Sequence, residues 1–268
     1  MDAPRVSIVL PTWNGERDLA RLLPALARQD LRGGFEIRAV DSGSTDGTVG
    51  LLEKAGAHLL LIEQRDFRHG ATRNLAARDA RGEFLVFLSQ DALPQDGEFL
   101  ATLTSAFEDP KVAGSYASIR PHPDDDPLTA RTVLAAPTDA FNNVASAIRT
   151  AVFREIPFPD VAFGEDVAWA REARRAGWRI HREPRAVVLH SHRYSPRRAY
   201  ARYKVDAAFH RELTGERIRP SLWSVARGIG YEVGQDVGYV ARHGGALHLL
   251  RSPFLRAAQV LGQYVGSR

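Results

Sequence analysis

The sequence predicts an α/β fold: a mostly parallel sheet with helices on both faces, followed by a helical C-terminal extension. Three observations carry this. Short β-branched or apolar runs alternate with segments of helical periodicity from the N-terminus onward. Turn residues follow these runs, so the loops after the strands gather at one sheet edge, where such folds bind ligands. From about residue 197 the chain changes character and reads as helical and Arg-rich.

Residues 5–10 (RVSIVL) form a β-branched run closed by Pro11, the pattern of a buried strand. Residues 17–29 place Leu19, Leu22, Leu23 and Leu26 at helical spacing. Residues 35–40 give a second strand ending in Asp41-Ser42-Gly43-Ser44, and residues 48–55 a helix. A third strand is expected at 58–62, an Ala-rich helix at 72–80, a fourth strand at 83–88 and a helix at 99–107. Residues 112–119 continue the strand pattern, 121–127 form a loop around Asp124-Asp125-Asp126, and 141–153 read as a helix or loop near the site. Residues 167–176 are helical with Gly177 just past the end; short strands follow at 179–181 and 186–189. In the C-terminal helices, Gly228, Gly230, Gly234 and Gly238 are expected to interrupt one helix and Pro253 to punctuate the next.

The 268 residues suffice for one large domain with an appendage. There is no cysteine, which excludes disulfides, thiolate zinc sites and cysteine nucleophiles. The first residues lack a signal-peptide pattern and no run of 18 apolar residues occurs, so the expected location is the cytoplasm. Charge is unevenly spread: residues 1–166 carry 17 basic and 25 acidic side chains, and residues 167–268 carry 19 and 7. A basic C-terminal third suits a polyanionic neighbour, and equally a solvated Arg-rich surface.

The motifs that carry chemistry sit after the strands. Pro11-Thr12-Trp13-Asn14-Gly15-Glu16 offers a turn and an aromatic face near a nucleotide base. In Asp41-Ser42-Gly43-Ser44-Thr45-Asp46-Gly47-Thr48, the Asp41 carboxylate can accept from a base N–H or a ribose hydroxyl; the same residues also read as turn and capping chemistry. In Phe67-Arg68-His69-Gly70-Ala71-Thr72-Arg73-Asn74, Gly70 permits close backbone approach and Arg73 can meet a diphosphate at a helix start. Ser89-Gln90-Asp91 ends an apolar strand, and a carboxylate there suits Mg²⁺ or Mn²⁺ with diphosphate oxygens. Gly164-Glu165-Asp166 opens a helix whose positive end favours an ionised carboxylate, as a general base requires. His190-Ser191-His192 follows a strand and can complete a metal site with Asp91, although the H-x-H spacing turns only one ring inward.

As an ordered set these motifs resemble the inverting family 2 glycosyltransferases of GT-A fold, over roughly residues 5–195. The resemblance implies a nucleoside-diphosphate-sugar donor, a divalent cation and an alcohol acceptor. Asp166 then falls on the catalytic base, with Glu165 beside it. Pro11, Thr12, Asn14, Asp41, Ser42, His69, Gly70, Arg73, Gln90 and Asp91 fall on the donor side. Asp91 occupies the last position of the family's D-x-D metal motif, here Ser89-Gln90-Asp91, so one carboxylate remains; His190 or His192 falls on the late metal-binding histidine. Asn142, Asn143, Trp169 and the 158–163 loop are expected to shape the acceptor pocket. The processive members' Q-x-x-R-W motif is absent, which implies single addition. The HGATRN and SQDA variants look most like the bacterial rhamnosyltransferase branch, which would suggest dTDP-rhamnose. The expected division is a catalytic domain at 1–196 and a basic helical extension at 197–268.

That extension mixes Leu, Val, Tyr and Trp with Arg227, Arg242, Arg251 and Arg256. It is expected to pack on the catalytic domain, to pair in a homodimer, or to make peripheral contact with the inner face of an anionic membrane near a lipid-linked acceptor. A Rossmann dehydrogenase is disfavoured because no G-x-G-x-x-G follows the first strand. A nucleic-acid partner is not expected, since few aromatics interleave with the arginines. The alternative to an enzyme is a nucleotide-sugar-binding protein without turnover, prompted by the reduced D-x-D.

Overall fold

A computed structural model describes residues 3–161 and 163–268. Met1, Asp2 and Ala162, the last within the expected acceptor loop, lie outside the described residues. The chain divides into two compact units, one of Met1–Ile119 with Pro137–His190 and one of Arg120–Ala136 with Ser191–Arg268.

The first unit is built on one eight-stranded sheet. Its parallel half comprises β1 (Val6–Thr12), β2 (Phe35–Asp41), β3 (His58–Leu61) and β4 (Phe84–Leu88). Helices α1 (Glu16–Ala27), α2 (Thr48–Lys54) and α3 (His69–Ala77) link these strands. The remaining strands are β5 (Leu93–Pro94), β6 (Val112–Arg120), β7 (Ala145–Arg149) and β8 (Arg179–Leu189), with the order β3-β2-β1-β4-β7-β6-β8-β5. β7 runs antiparallel to both β4 and β6. Helices α4 (Phe99–Ser105), α6 (Thr150–Glu155) and α7 (Glu165–Arg175) complete the unit.

The strands are apolar on both sides because both sides are covered. Ile8, Leu10, Ile37, Ala39, Val86 and Leu88 share one core with Leu19, Leu22 and Leu26 of α1, Leu52 of α2 and Phe99 of α4. Val9, Val40, Leu85 and Phe87 share the other with Ala76 of α3, Phe153 of α6 and Trp169 of α7. Each fully buried large side chain here contributes about 1.5–3 kcal/mol. In register, Thr12 of β1 pairs with Asp41 of β2, so the loops after these two strands leave the sheet side by side.

Several expectations are corrected. Pro11 does not close β1, which continues to Thr12. Residues 145–149, expected as helix or loop, are β7: its small residues fit between β4 and β6, and that pairing overrides the weak strand propensity of alanine. The two short strands expected near 179 and 189 are one, β8, which runs through Pro184.

In the second unit, α5 (Pro127–Leu134) starts where only a loop was expected, and α8 (Pro196–Thr214), α9 (Leu222–His243) and α10 (Ser252–Gly266) follow. α9 runs unbroken through all four glycines. Ser221 and Ser224 close a capping box at its start, and its inward face is held by burial of Val225, Asp236 and Val240. Pro253 occupies the first turn of α10, where its missing N–H costs nothing. Asp236 is fully buried and accepts from Arg131 Nε (2.5 Å), Ser252 Oγ (2.5 Å), and Arg256 Nε and Nη2 (both 2.8 Å), fastening α5, α9 and α10 together. Burial pushes its carboxyl up, but these donors outweigh that and hold it below the usual carboxylate range. Among the described residues no helix is long and apolar enough to cross a membrane.

Candidate active site

The loops after β1, β2 and β4 are bonded to one another at the sheet edge. Asp41, at the end of β2, is buried; its Oδ2 accepts from Thr12 Oγ1 (3.0 Å) and Ser44 Oγ (2.5 Å), and its Oδ1 from Ser44 N (2.8 Å). Ser42 donates its hydroxyl to Thr12 O at 3.0 Å. Asn14, the one non-glycine residue of positive φ among the described residues (44°), accepts from Thr45 N with its side chain at 2.8 Å. Gln90 clamps the first loop from the other side: its Oε1 accepts from Trp13 N (2.9 Å) and its Nε2 donates to Trp13 O (3.2 Å). The expected donor residues of these three loops therefore form one hydrogen-bonded cluster, with Thr12, Asp41 and Ser42 buried in it and the Trp13 ring about half exposed.

Asp91 lies just past β4, and His190 just past β8. The short pairing of β5 with β8 at Leu93–Leu189 brings them together, with Asp91 Oδ1 3.2 Å from His190 Nδ1. A carboxylate oxygen and an imidazole nitrogen, both partly exposed, could ligate a divalent transition-metal cation. His192 belongs to the second unit, where it is exposed with its ring against Tyr194.

The second acidic cluster opens α7. Gly164 precedes it with φ 75°, a left-handed conformation that a side chain would strain. Asp166 accepts from Asn143 N through Oδ2 (3.0 Å) and from Val167 N through Oδ1 (2.8 Å). Burial and the neighbouring Glu165 charge push its carboxyl above the usual range, against the opposing pull of those two N–H groups and Arg73. The clusters at Asp91 and Asp166 are neighbours through β7. Ser89 N donates to Val144 O at 3.0 Å, and the adjacent Asn143 holds Asp166.

Four assignments change. Glu165 is buried and accepts from Arg73 Nη1 and Asn143 Nδ2, both at 3.1 Å, so it holds its neighbours instead of facing a substrate. Arg73, expected on a diphosphate, is buried with Nη1 on Glu165 and on His69 O (3.1 Å). Desolvation pulls its guanidinium below the ordinary value despite the carboxylates beside it. Asn143, expected on the acceptor, is buried with its amide donating to Glu165 and its Oδ1 accepting from Ser146 Oγ at 2.9 Å. Trp169, also expected there, is fully buried in the core and donates Nε1–H to Ile156 O at 2.7 Å. Asn142 stays partly exposed, and its buried Oδ1 accepts no hydrogen bond.

The His69–Asn74 stretch has a role that the sequence did not reveal. Asn74 bonds Phe158 in both directions, donating to its carbonyl at 2.9 Å and accepting from its N–H at 3.1 Å. A Cβ at Gly70 would lie 2.7 Å from Pro159 O. Arg68 pairs with Asp160 at 3.0 Å. With Arg73 on Glu165, this segment holds residues 158–160 and Glu165, on either side of the approach to Asp166. Nothing in the HGATRN string announces a partner 84 residues away.

The Glycosyl transferase family 2 model matches residues 7–159. An O-antigen chain rhamnosyltransferase of Salmonella typhimurium, RfbN, is 30% identical over 228 residues, which is 77% of this chain and 72% of that protein. The corresponding protein of Salmonella anatum, WbaN, is 30% identical over 229 residues, again 77% and 72% of the two chains. Among solved structures, a mannosyltransferase from Pyrobaculum calidifontis, in complex with GDP-Man and Mn²⁺, superposes with a TM-score of 0.64 at 21% identity, covering 97% of this chain and 87% of that one. Staphylococcus aureus TarS 1–349 in complex with UDP-GlcNAc gives 0.57 at 19% identity, covering 98% and 90%. These likenesses confirm the GT-A fold.

Proposed function

Because the chain belongs to glycosyl transferase family 2, we propose that it moves a single sugar from a nucleoside-diphosphate-sugar to a hydroxyl of a saccharide or lipid-linked acceptor in cell-surface polysaccharide assembly, with inversion at the anomeric carbon. The observation that carries this reading is Asp166, a carboxylate of raised basicity fixed by two backbone N–H groups beside the edge where the β1, β2 and β4 loops meet. The rhamnosyltransferase relatives favour rhamnose as the sugar, and dTDP-rhamnose is the donor proposed.

In this reading the nucleotide lies over the loops after β1 and β2, against Pro11–Asn14 and Asp41–Ser42. Asp91 and His190 would hold a divalent cation, Mg²⁺ or Mn²⁺. A cation there supplies Lewis acidity that stabilises the departing diphosphate. Asp166 takes the proton from the acceptor hydroxyl as that oxygen attacks C1 of the sugar; the new C1–O bond forms on the face opposite the breaking bond to phosphate. Asn142 lines the acceptor side. Asn143, Glu165 and Arg73 act through Asp166, keeping it in place and setting its basicity.

The test is thermal shift against a panel of nucleoside diphosphates and nucleotide-sugars, each with and without Mn²⁺ or Mg²⁺. A metal-dependent rise in Tm with one nucleotide, lost in Asp91→Asn, is expected. No rise with any of them would contradict the reading.

A further inference from the structure

The corner between α9 and α10 carries apolar side chains that nothing in its own unit covers. Residues 246–250 form a single 3₁₀ turn there. Leu247 is 82% exposed, Leu250 74% and Phe254 70%. Side chains three apart eclipse in a 3₁₀ turn, so Leu247 and Leu250 project together, and Phe254 follows in the first turn of α10. Solvent exposure this high describes a protruding ridge, not the wall of a groove.

The exposed charges on the corner itself are basic, and the one carboxylate paired with them, Asp126 at 3.7 Å from Arg251, is buried. Arg242, His243 and Arg251 are exposed beside it, with His248 partly so. Residues 217–268 contain seven arginines and two carboxylates, Glu232 and Asp236. Both carboxylates are engaged inward, Glu232 with Arg131 (2.6 Å) and Asp236 with Arg131 and Arg256. The outer surface of α9 and of the corner is therefore cationic and apolar, its carboxylates Glu232 and Asp236 turned inward and Asp126, beside Arg251, buried.

We propose that the α9–α10 corner is a docking surface for an anionic lipid bilayer: Leu247, Leu250 and Phe254 enter the headgroup–acyl boundary while Arg242 and Arg251 meet lipid phosphates. Charge decides between this occupant and a second copy of the chain. An isologous dimer places the same patch on both sides, so one cationic surface would meet another with little exposed counter-charge. A bilayer containing anionic lipid supplies that counter-charge and accepts a convex apolar ridge, which a flat protein surface does not. The proposal does not rest on the transfer reading, since vesicle binding needs neither donor nor cation.

The full chain is tested by co-sedimentation with vesicles of phosphatidylcholine alone and of phosphatidylcholine with phosphatidylglycerol. Binding to the phosphatidylglycerol vesicles is expected, reduced about ten-fold or more on the neutral vesicles or at about 0.5 M salt. The triple variant Leu247→Ser, Leu250→Ser, Phe254→Ser changes only exposed side chains; it should lose about ten-fold in vesicle partition with Tm unchanged. Absence of binding to anionic vesicles, or a triple variant that binds like wild type, overturns the proposal. Self-association of wild type in sedimentation velocity that the triple variant abolishes also overturns it and gives the ridge to a second copy.

Discussion

Asp166 is where local physics and chemistry meet most closely. Burial and the adjacent Glu165 charge raise its pKa, while Asn143 N and Val167 N hold the ionised form in one orientation. If Asp166 is the proposed base, it works only when deprotonated, and activity is lost as pH falls through its raised pKa. The acid limb of the kcat/KM profile should therefore lie above the ordinary carboxylate range. Glu165→Gln removes a neighbouring charge and should move that limb to lower pH; a limb that stays put would mean another group titrates. Stability runs the opposite way with pH. A raised folded-state pKa favours the fold below the unfolded value and loses that contribution as pH rises through the folded value. The Tm of Asp166→Asn should accordingly gain on wild type between acid and neutral pH, which calorimetry across that range checks.

The His69–Asn74 segment and the strand β7 explain why the site takes the form it does. Arg73, Asn74 and Gly70 are spent on the loop before α7, and Asn143 at the mouth of β7 is spent on Glu165 and Asp166. Asn74→Ala and Gly70→Ala should lower kcat about ten-fold or more while nucleotide affinity by titration calorimetry changes little. A large loss of nucleotide affinity with kcat unchanged would return the segment to the donor side. The ordered motifs made legible the parallel half of the sheet, the loop positions and the placing of Asp91, His190 and Asp166 at those loops, because strand-to-loop junctions leave local signatures. They did not reveal β7, whose small residues become a strand only between two partners, nor the burial of Trp169, Arg73 and Asn143. The string GEDVAWARE shows an aromatic one turn into a helix; which face meets the sheet is decided by tertiary packing.

At the scale of the whole molecule, each unit has its own stabilising centre. The first rests on two apolar cores across a covered sheet. The second has a small apolar cluster at Leu128, Ala199 and Leu255 and relies on the buried charges of Asp236, Arg131 and Arg256. Asp236→Ala leaves two arginines without their shared anion and should destabilise the chain by about 3–5 kcal/mol in urea unfolding. The lowered pKa of Asp236 means its contribution is present above the unfolded carboxylate value and fades as pH falls through the lower folded value. The reading of the chain as a glycosyltransferase depends most on the base. The decisive measurement is the release of nucleoside diphosphate from a panel of nucleotide-sugars with Mn²⁺, comparing wild type with Asp166→Asn. The account predicts turnover with one donor that falls by about 10²-fold or more in the variant while nucleotide binding persists. A variant that keeps more than about half of the wild-type rate would contradict it.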